Sequence, residues 1–181
     1  MSKNLLKGSR TYLIGSIEYD KDGRGWRNEV KSFLSTIGVV AFDPYDKPLI
    51  NSTEEGSDLF YSWREKMKLG QYDEVADFAK KIRGEDLRMT DLADFAIAYI
   101  KPGIPTYGSM EELTQICRAK KPAFIVIEGG KSNCPLWIMG MFPHKYIYNS
   151  LEELGDMIKS LDSGEKEMDS HRWKLLKPEF R

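Results

Sequence analysis

The sequence predicts an α/β fold: a three-layer, five-stranded parallel sheet of the flavodoxin-like or Rossmann-like kind. Three observations carry that prediction. Five short apolar runs recur along the chain, TYLIGS, VVAF, PAFIVI, YIY and, most clearly, FAIAYI. They lack the alternation of a half-exposed sheet, and near-continuous apolar runs suit strands buried on both faces. Between them lie segments whose apolar residues recur at helical spacing, and every parallel crossover needs such a helix against one face.

Taken in order, residues 11–16 form the first strand and end on Gly15-Ser16, where a glycine lets the backbone turn closely beneath a ligand. The polar segment 18–25 reads as an exposed loop. Trp26, Val30, Phe33, Leu34 and Ile37 recur at helical spacing ahead of Gly38 and predict a helix over 26–37. Residues 39–42 are the second strand. Pro44 and Pro48 then break regular structure, and the polar stretch 51–57 reads as a long mobile excursion, placed as a lid would be. Periodicity over 58–68 and 72–82, with Gly70 and Gly84 as stops, predicts a helical pair, and a third short helix begins at Asp86. At ~1.5 Å per residue that short helix carries Asp86 about 12 Å from the start of the next strand, toward the ligand-binding edge.

Residues 95–100 form the central strand, followed by a loop over 101–107 and a helix through Lys120. Residues 122–127 are the fourth strand, which Gly129-Gly130 ends, and an irregular segment precedes a fifth at 146–148. Ser150 opens the last helix with an S-x-x-E signature, and Leu154, Ile158 and Leu161 share one of its faces. A charged tail, about 164–181, is apolar only at 173–176 and is expected to be ordered only by docking. No repeat, low-complexity tract or interdomain linker interrupts the chain, so a single domain over 1–181 is expected.

The composition, 41% apolar and 30% charged over 181 residues, permits one domain with a sizeable core. A formal charge of -1 and a pI near 6.2 provide no footprint for a nucleic-acid backbone, so no polymeric nucleic acid is expected as a partner. Cys117 and Cys134 are too few for a disulfide framework and lack metal-ligand spacing with His144 and His171, which suggests a reducing compartment and no metal. The amino end is neither a signal peptide nor a membrane span, so a cytoplasmic protein without membrane contact is expected. No G-x-G-x-x-G follows the first strand and no G-x-x-x-x-G-K-[ST] occurs, so no cofactor is expected either.

Chemistry concentrates where the central strand passes through a Pro/Gly-rich loop into Gly108-Ser109-Met110-Glu111-Glu112. In a parallel sheet such a loop opens into the ligand crevice, and a carboxylate in the first turn of the next helix faces it. Ser109 and Glu112 form S-x-x-E, which is read in two ways. Either Glu112 closes a capping box, or the positive helix end holds it as the carboxylate a nucleophile requires. Glu111 is the neighbouring candidate, rotated ~100° away, so only one of the pair points inward. Asp86 is an N-cap or a group near the crevice, and Asp94 starts its strand at the far end and reads as structural. Arg27, beside the first loop, is either a solvated helix residue or a partner for phosphate or carboxylate. Tyr99, Trp137, Met139 and Met141 read as core rather than base-stacking groups, and the Cys117 thiol as inert packing.

The run Glu85-Asp86-Leu87, then Asp94, then Gly108-Ser109-Met110-Glu111-Glu112 resembles the nucleoside 2-deoxyribosyltransferase family, including its nucleotide N-hydrolase relatives. TYLIGS, KPAFIVIEGG and the segment 137–140 are similar to the family's corresponding parts, over about 11–154. The resemblance implies a retaining enzyme that cleaves or transfers at the N-glycosidic bond of a 2-deoxyribonucleoside or its monophosphate. In it Glu112 attacks C1′, the base departs, and a second base or water resolves the covalent sugar. Asp86 would hold the substrate, Tyr12 would stand near the nucleophile, and Gly15, Ser16, Gly108 and Ser109 would bind substrate. A residue from a neighbouring subunit would close the pocket, implying a homo-oligomer. Thr106 stands where transferases of this family carry an aspartate, and the asparagine expected before Trp137 has no secure counterpart, Asn133 being close but followed by Pro135. The alternative, motivated by Thr106, is a non-catalytic nucleoside- or nucleotide-binding protein on the same fold.

Overall fold

A computed structural model describes residues 4–169. His171, the apolar run 173–176 and most of the expected tail lie outside the described residues, as do residues 1–3. Five strands form one parallel sheet in the order β2-β1-β3-β4-β5, as predicted. They are β1 (Arg10–Gly15), β2 (Val40–Phe42), β3 (Phe95–Ile100), β4 (Ala123–Ile127) and β5 (Ile147–Tyr148). β1 leads to β2 on one side and, after two helices, the chain returns on the other side as β3. The carboxyl ends of β1 and β3 therefore flank the point where strand order reverses, and Gly15 pairs with Tyr99 there.

The strands are buried on both faces, and Leu13, Ile14, Ile97, Ala98 and Ile125 have no exposed surface. Helix α1 (Gly25–Thr36) buries Trp26, Val30 and Leu34 and stops at Gly38, whose φ of 71° suits glycine. Helix α6 (Leu151–Ser163) lies beside it, with Lys159 over the Phe33 ring. On the other face α3 (Tyr72–Leu92) packs on α4 (Tyr107–Arg118), where Gln115 Nε2 donates to the Leu87 carbonyl at 3.2 Å.

Two expectations need correction. The residues from Tyr72 to Leu92 are one helix of 21 residues, with no stop at Gly84 and no new start at Asp86. A glycine inside a helix costs ~1 kcal/mol against alanine, which ends nothing when the buried stripe continues. Here it does continue, through Ile82, Asp86, Met89 and Thr90. The segment read as irregular before the fifth strand contains the short helix α5 (Leu136–Met141). Helix α2 (Ser57–Lys68) forms as predicted yet buries no residue fully, because its apolar side faces a cavity instead of the core. Among the described residues no helix is long and apolar enough to cross a membrane.

Candidate active site

A cavity of about 450 Å³ opens at the carboxyl ends of β1 and β3. Tyr12, Gly15 and Ser16 come to it from β1 and its exit, Gly108, Ser109 and Glu112 from α4, and Asp86 from α3. Phe60 and Trp63 of α2 and Phe78 and Ile82 of α3 form an apolar wall, with Trp63 stacked on Phe78 at 4.1 Å between centroids. Seven of the eight residues predicted to form the site are thus brought together.

Arg27 is the eighth and does not join them. It is fully buried under the first loop, where Nη1 donates to the Gly23 carbonyl at 2.5 Å and Nη2 to the Gly15 carbonyl at 2.9 Å. Nε lies 3.8 Å from Asp43. Its helix turns it inward beneath the glycine turn, so it shapes the backbone around Gly15 and lies outside the cavity lining. A Cβ on Gly15 would meet Trp26 Cζ2 at 2.9 Å and the Tyr99 carbonyl at 3.0 Å, which is why the strand ends on glycine. A Cβ on Gly108, by contrast, meets nothing within 4 Å.

Glu112 does not close a capping box. Helix α4 starts earlier than expected, Thr106 is its N-cap without a side-chain cap bond, and Ser109 already lies inside the helix. The other S-x-x-E forms as read: Ser150 Oγ accepts from the Glu153 amide at 3.2 Å, and Glu153 accepts from the Asn149 amide at 2.9 Å. Glu112, in the second turn of α4 and 8% exposed, instead accepts a 2.8 Å hydrogen bond from Tyr12 Oη. Its position also corrects the expectation of a carboxylate held by the helix end. Burial, and then the Asp86 charge, push its pKa up to about 8, while the Tyr12 bond, Arg27 and Lys47 oppose that rise. Tyr12 is raised well above its ordinary value, by burial first and then by Glu112. Glu111 also lines the cavity, against the expectation that only one of the pair points inward, and its pairing with Arg83 lowers its pKa.

Asp86 sits mid-helix, and its pKa is raised by burial. Asp94 proves structural, accepting from the Arg10 amide at 2.7 Å. Ser16 donates to Asp20 at 2.8 Å, and Lys101 lies 2.8 Å from the same carboxylate, which ties the first loop to the loop after β3. Tyr99, Met139 and Met141 pack against the core as read, but Trp137 is 75% exposed. Among the described residues no cluster of three or more His, Cys, Asp or Glu could hold a metal ion.

No protein-family model matches the chain, and no curated protein matches it in sequence. Among solved structures it is similar to a 2-deoxyribosyltransferase from Bacillus psychrosaccharolyticus, with a TM-score of 0.55 at 15% identity, covering 82% of this chain and 91% of that one. The chain shares the fold of that enzyme. It is also similar to a CMP N-glycosidase from Clostridium botulinum, with a TM-score of 0.47 at 16% identity, covering 84% and 99% of the two chains.

Within this fold, the sequence reading gave no role to three charged residues, although Glu85 stands in the run that carries the resemblance. Lys47 and Glu55 lie on the excursion between β2 and α2, and Glu85 precedes Asp86 on α3. The Lys47 ammonium is buried 2.5 Å from Glu55, 2.9 Å from Asp86 and 3.1 Å from Glu85. The first two contacts are close without hydrogen-bond angles, since Glu55 Oε1 and Asp86 Oδ1 have no hydrogen-bond partner. Glu85 also accepts from the Thr53 amide and hydroxyl at 3.0–3.2 Å. The expected lid is therefore tied down on α3. Its length was the available signal, because structureless loops beyond ~12–15 residues are usually functional or disordered.

Proposed function

We propose that the chain belongs to the nucleoside 2-deoxyribosyltransferase family and cleaves or transfers at the N-glycosidic bond of a 2-deoxyribonucleoside or its monophosphate. The observation that carries this reading is the 2.8 Å hydrogen bond from Tyr12 to Glu112 inside a cavity at the switch point of the sheet. A buried carboxyl freed from capping, beside a second carboxyl on Asp86, suits chemistry with an oxocarbenium-like transition state. Glu112 attacks C1′ from its ionised form, with Tyr12 holding its Oε1, and the C1′–N bond breaks toward the base. Water or an acceptor base then attacks C1′ from the opposite side, releasing Glu112 with retention. The apolar wall of Phe60, Trp63 and Phe78 suits a flat aromatic base.

The charge around the cavity favours a neutral nucleoside over its monophosphate. Its two guanidinium groups, on Arg64 and Arg83, are already paired with Glu18 and Glu111, so neither is spare for a phosphate, and Glu55, Asp86 and Glu112 add only carboxyl groups to the lining. The test is incubation with each 2-deoxynucleoside and monophosphate, with and without an acceptor base, following base release by chromatography. Turnover by the parent protein and its loss in Glu112→Ala are expected, with a sugar adduct on Glu112 by mass spectrometry. Stoichiometric binding without base release would instead favour the non-catalytic binding protein.

A further inference from the structure

The proposed reaction needs a proton for the departing base, and Thr106, the N-cap of α4 on the cavity wall, has only a hydroxyl to offer. A carboxyl reaches the same cavity from another part of the chain. Glu55, on the loop between β2 and α2, lines the cavity and is 6% exposed. One buried ammonium, Lys47, meets three carboxyls there, at 2.5 Å from Glu55, 2.9 Å from Asp86 and 3.1 Å from Glu85, and its single charge cannot balance all three. Resting on the reading of the cavity as a glycosyl-transfer site, we propose that Glu55 is the acid that protonates the departing base, in the part Thr106 lacks the chemistry to take.

The groups around Glu55 suit that role. Burial, then the Asp86 charge, raise its pKa to about 9, so it holds its proton at neutral pH. Lys47 on its own loop opposes the rise, Glu85 and Asp86 meet the same ammonium from α3, and Tyr12 of β1 lies within range of the Glu55 charge. The Asp86 charge also raises the pKa of Glu112 on α4. In the forward step a Glu112 oxygen bonds C1′ as the C1′–N electron pair moves onto the base, and the Glu55 proton passes to a base nitrogen or carbonyl oxygen. The resulting Glu55 carboxylate is left 2.5 Å from the Lys47 ammonium, which stabilises the new charge. In the second step the incoming water or base gives its proton to that carboxylate, and the site returns to its starting state.

The experiment compares two leaving groups. A 2-deoxynucleoside needs a proton on its base, whereas 4-nitrophenyl 2-deoxyribofuranoside releases a phenolate that needs none. Glu55→Gln is expected to lose ~10²–10⁴-fold in kcat on the nucleoside, the range for a positioned acid, and less than about tenfold on the phenyl glycoside. Glu112→Ala abolishes both. An equal loss on the two substrates, or no loss on the nucleoside, overturns the assignment of Glu55. Failure of the parent protein to cleave either substrate sinks the glycosyl-transfer reading itself. Should Glu55→Gln not melt cooperatively, the parent decides: its rate on the nucleoside falls at alkaline pH as the acid ionises, and its rate on the phenyl glycoside does not. The same alkaline fall with both substrates counts against Glu55.

Discussion

Tyr12 Oη and Glu112 Oε1, 100 residues apart in sequence, meet at 2.8 Å and join the centre of β1 to the second turn of α4. The bond favours the charged form of Glu112 against burial and Asp86. Tyr12→Phe removes it, so the Glu112 pKa rises and the acidic limb of kcat/KM against pH moves upward. A hydrogen bond to a charged group contributes ~1.5–3 kcal/mol, which corresponds to a fall of roughly 10–100-fold in kcat/KM. A pH–rate profile with an unmoved acidic limb would contradict the role assigned to the pair.

Stability depends on pH through the same carboxyls. Glu112 and Glu55 are raised from 4.5 to about 8 and about 9, so the folded protein keeps protons that the unfolded chain has released. Their contribution is complete below pH ~4.5 and is lost as pH rises toward about 9. Thermal melts of the unliganded protein should therefore fall from pH 5 to pH 9. Glu112→Gln keeps an acceptor for Tyr12 but has no proton to lose, so it should melt close to the parent at pH 5 and above it at pH 9.

Glu85 anchors the 43–57 loop without lining the cavity itself. Glu85→Ala leaves the Thr53 amide without its acceptor. Hydrogen exchange at Thr53 should accelerate ~10–100-fold, matching the loss of a charged hydrogen bond, while the strands of the sheet keep their protection. KM should rise, because Lys47 and Glu55 are no longer held against α3.

Arg27→Met should act on stability and not on phosphate recognition. The guanidinium is fully buried, and removing one partner of such a group costs ~3–5 kcal/mol. Denaturant unfolding should show a loss of that size. The ratio of kcat/KM for nucleoside over monophosphate should stay at the parent value, and a selective loss on the monophosphate would return Arg27 to the substrate.

The elements were legible because their signals are local. FAIAYI forms β3 with the predicted bounds, the spacing from Trp26 to Ile37 forms α1 to within a residue or so, and Ser150–Glu153 caps α6. Where local signals conflict, the tertiary packing chose. Gly84 looked like a stop but lies within a helix whose buried face runs on to Thr90, and Ser109–Glu112 has capping spacing in a helix that begins before it.

The sequence by itself determined the α/β class, the parallel sheet and the stretch that bears Glu112, because apolar period and backbone preference are properties of neighbouring residues. Only the tertiary structure decided what surrounds that carboxyl. Sheet order brings Tyr12 to Glu112, and the loop carries Lys47 and Glu55 onto Asp86, while α1 turns Arg27 into the interior. The state of each charge depends on burial and on partners far away in sequence. Both arise only when the strands pair and the chain closes over them.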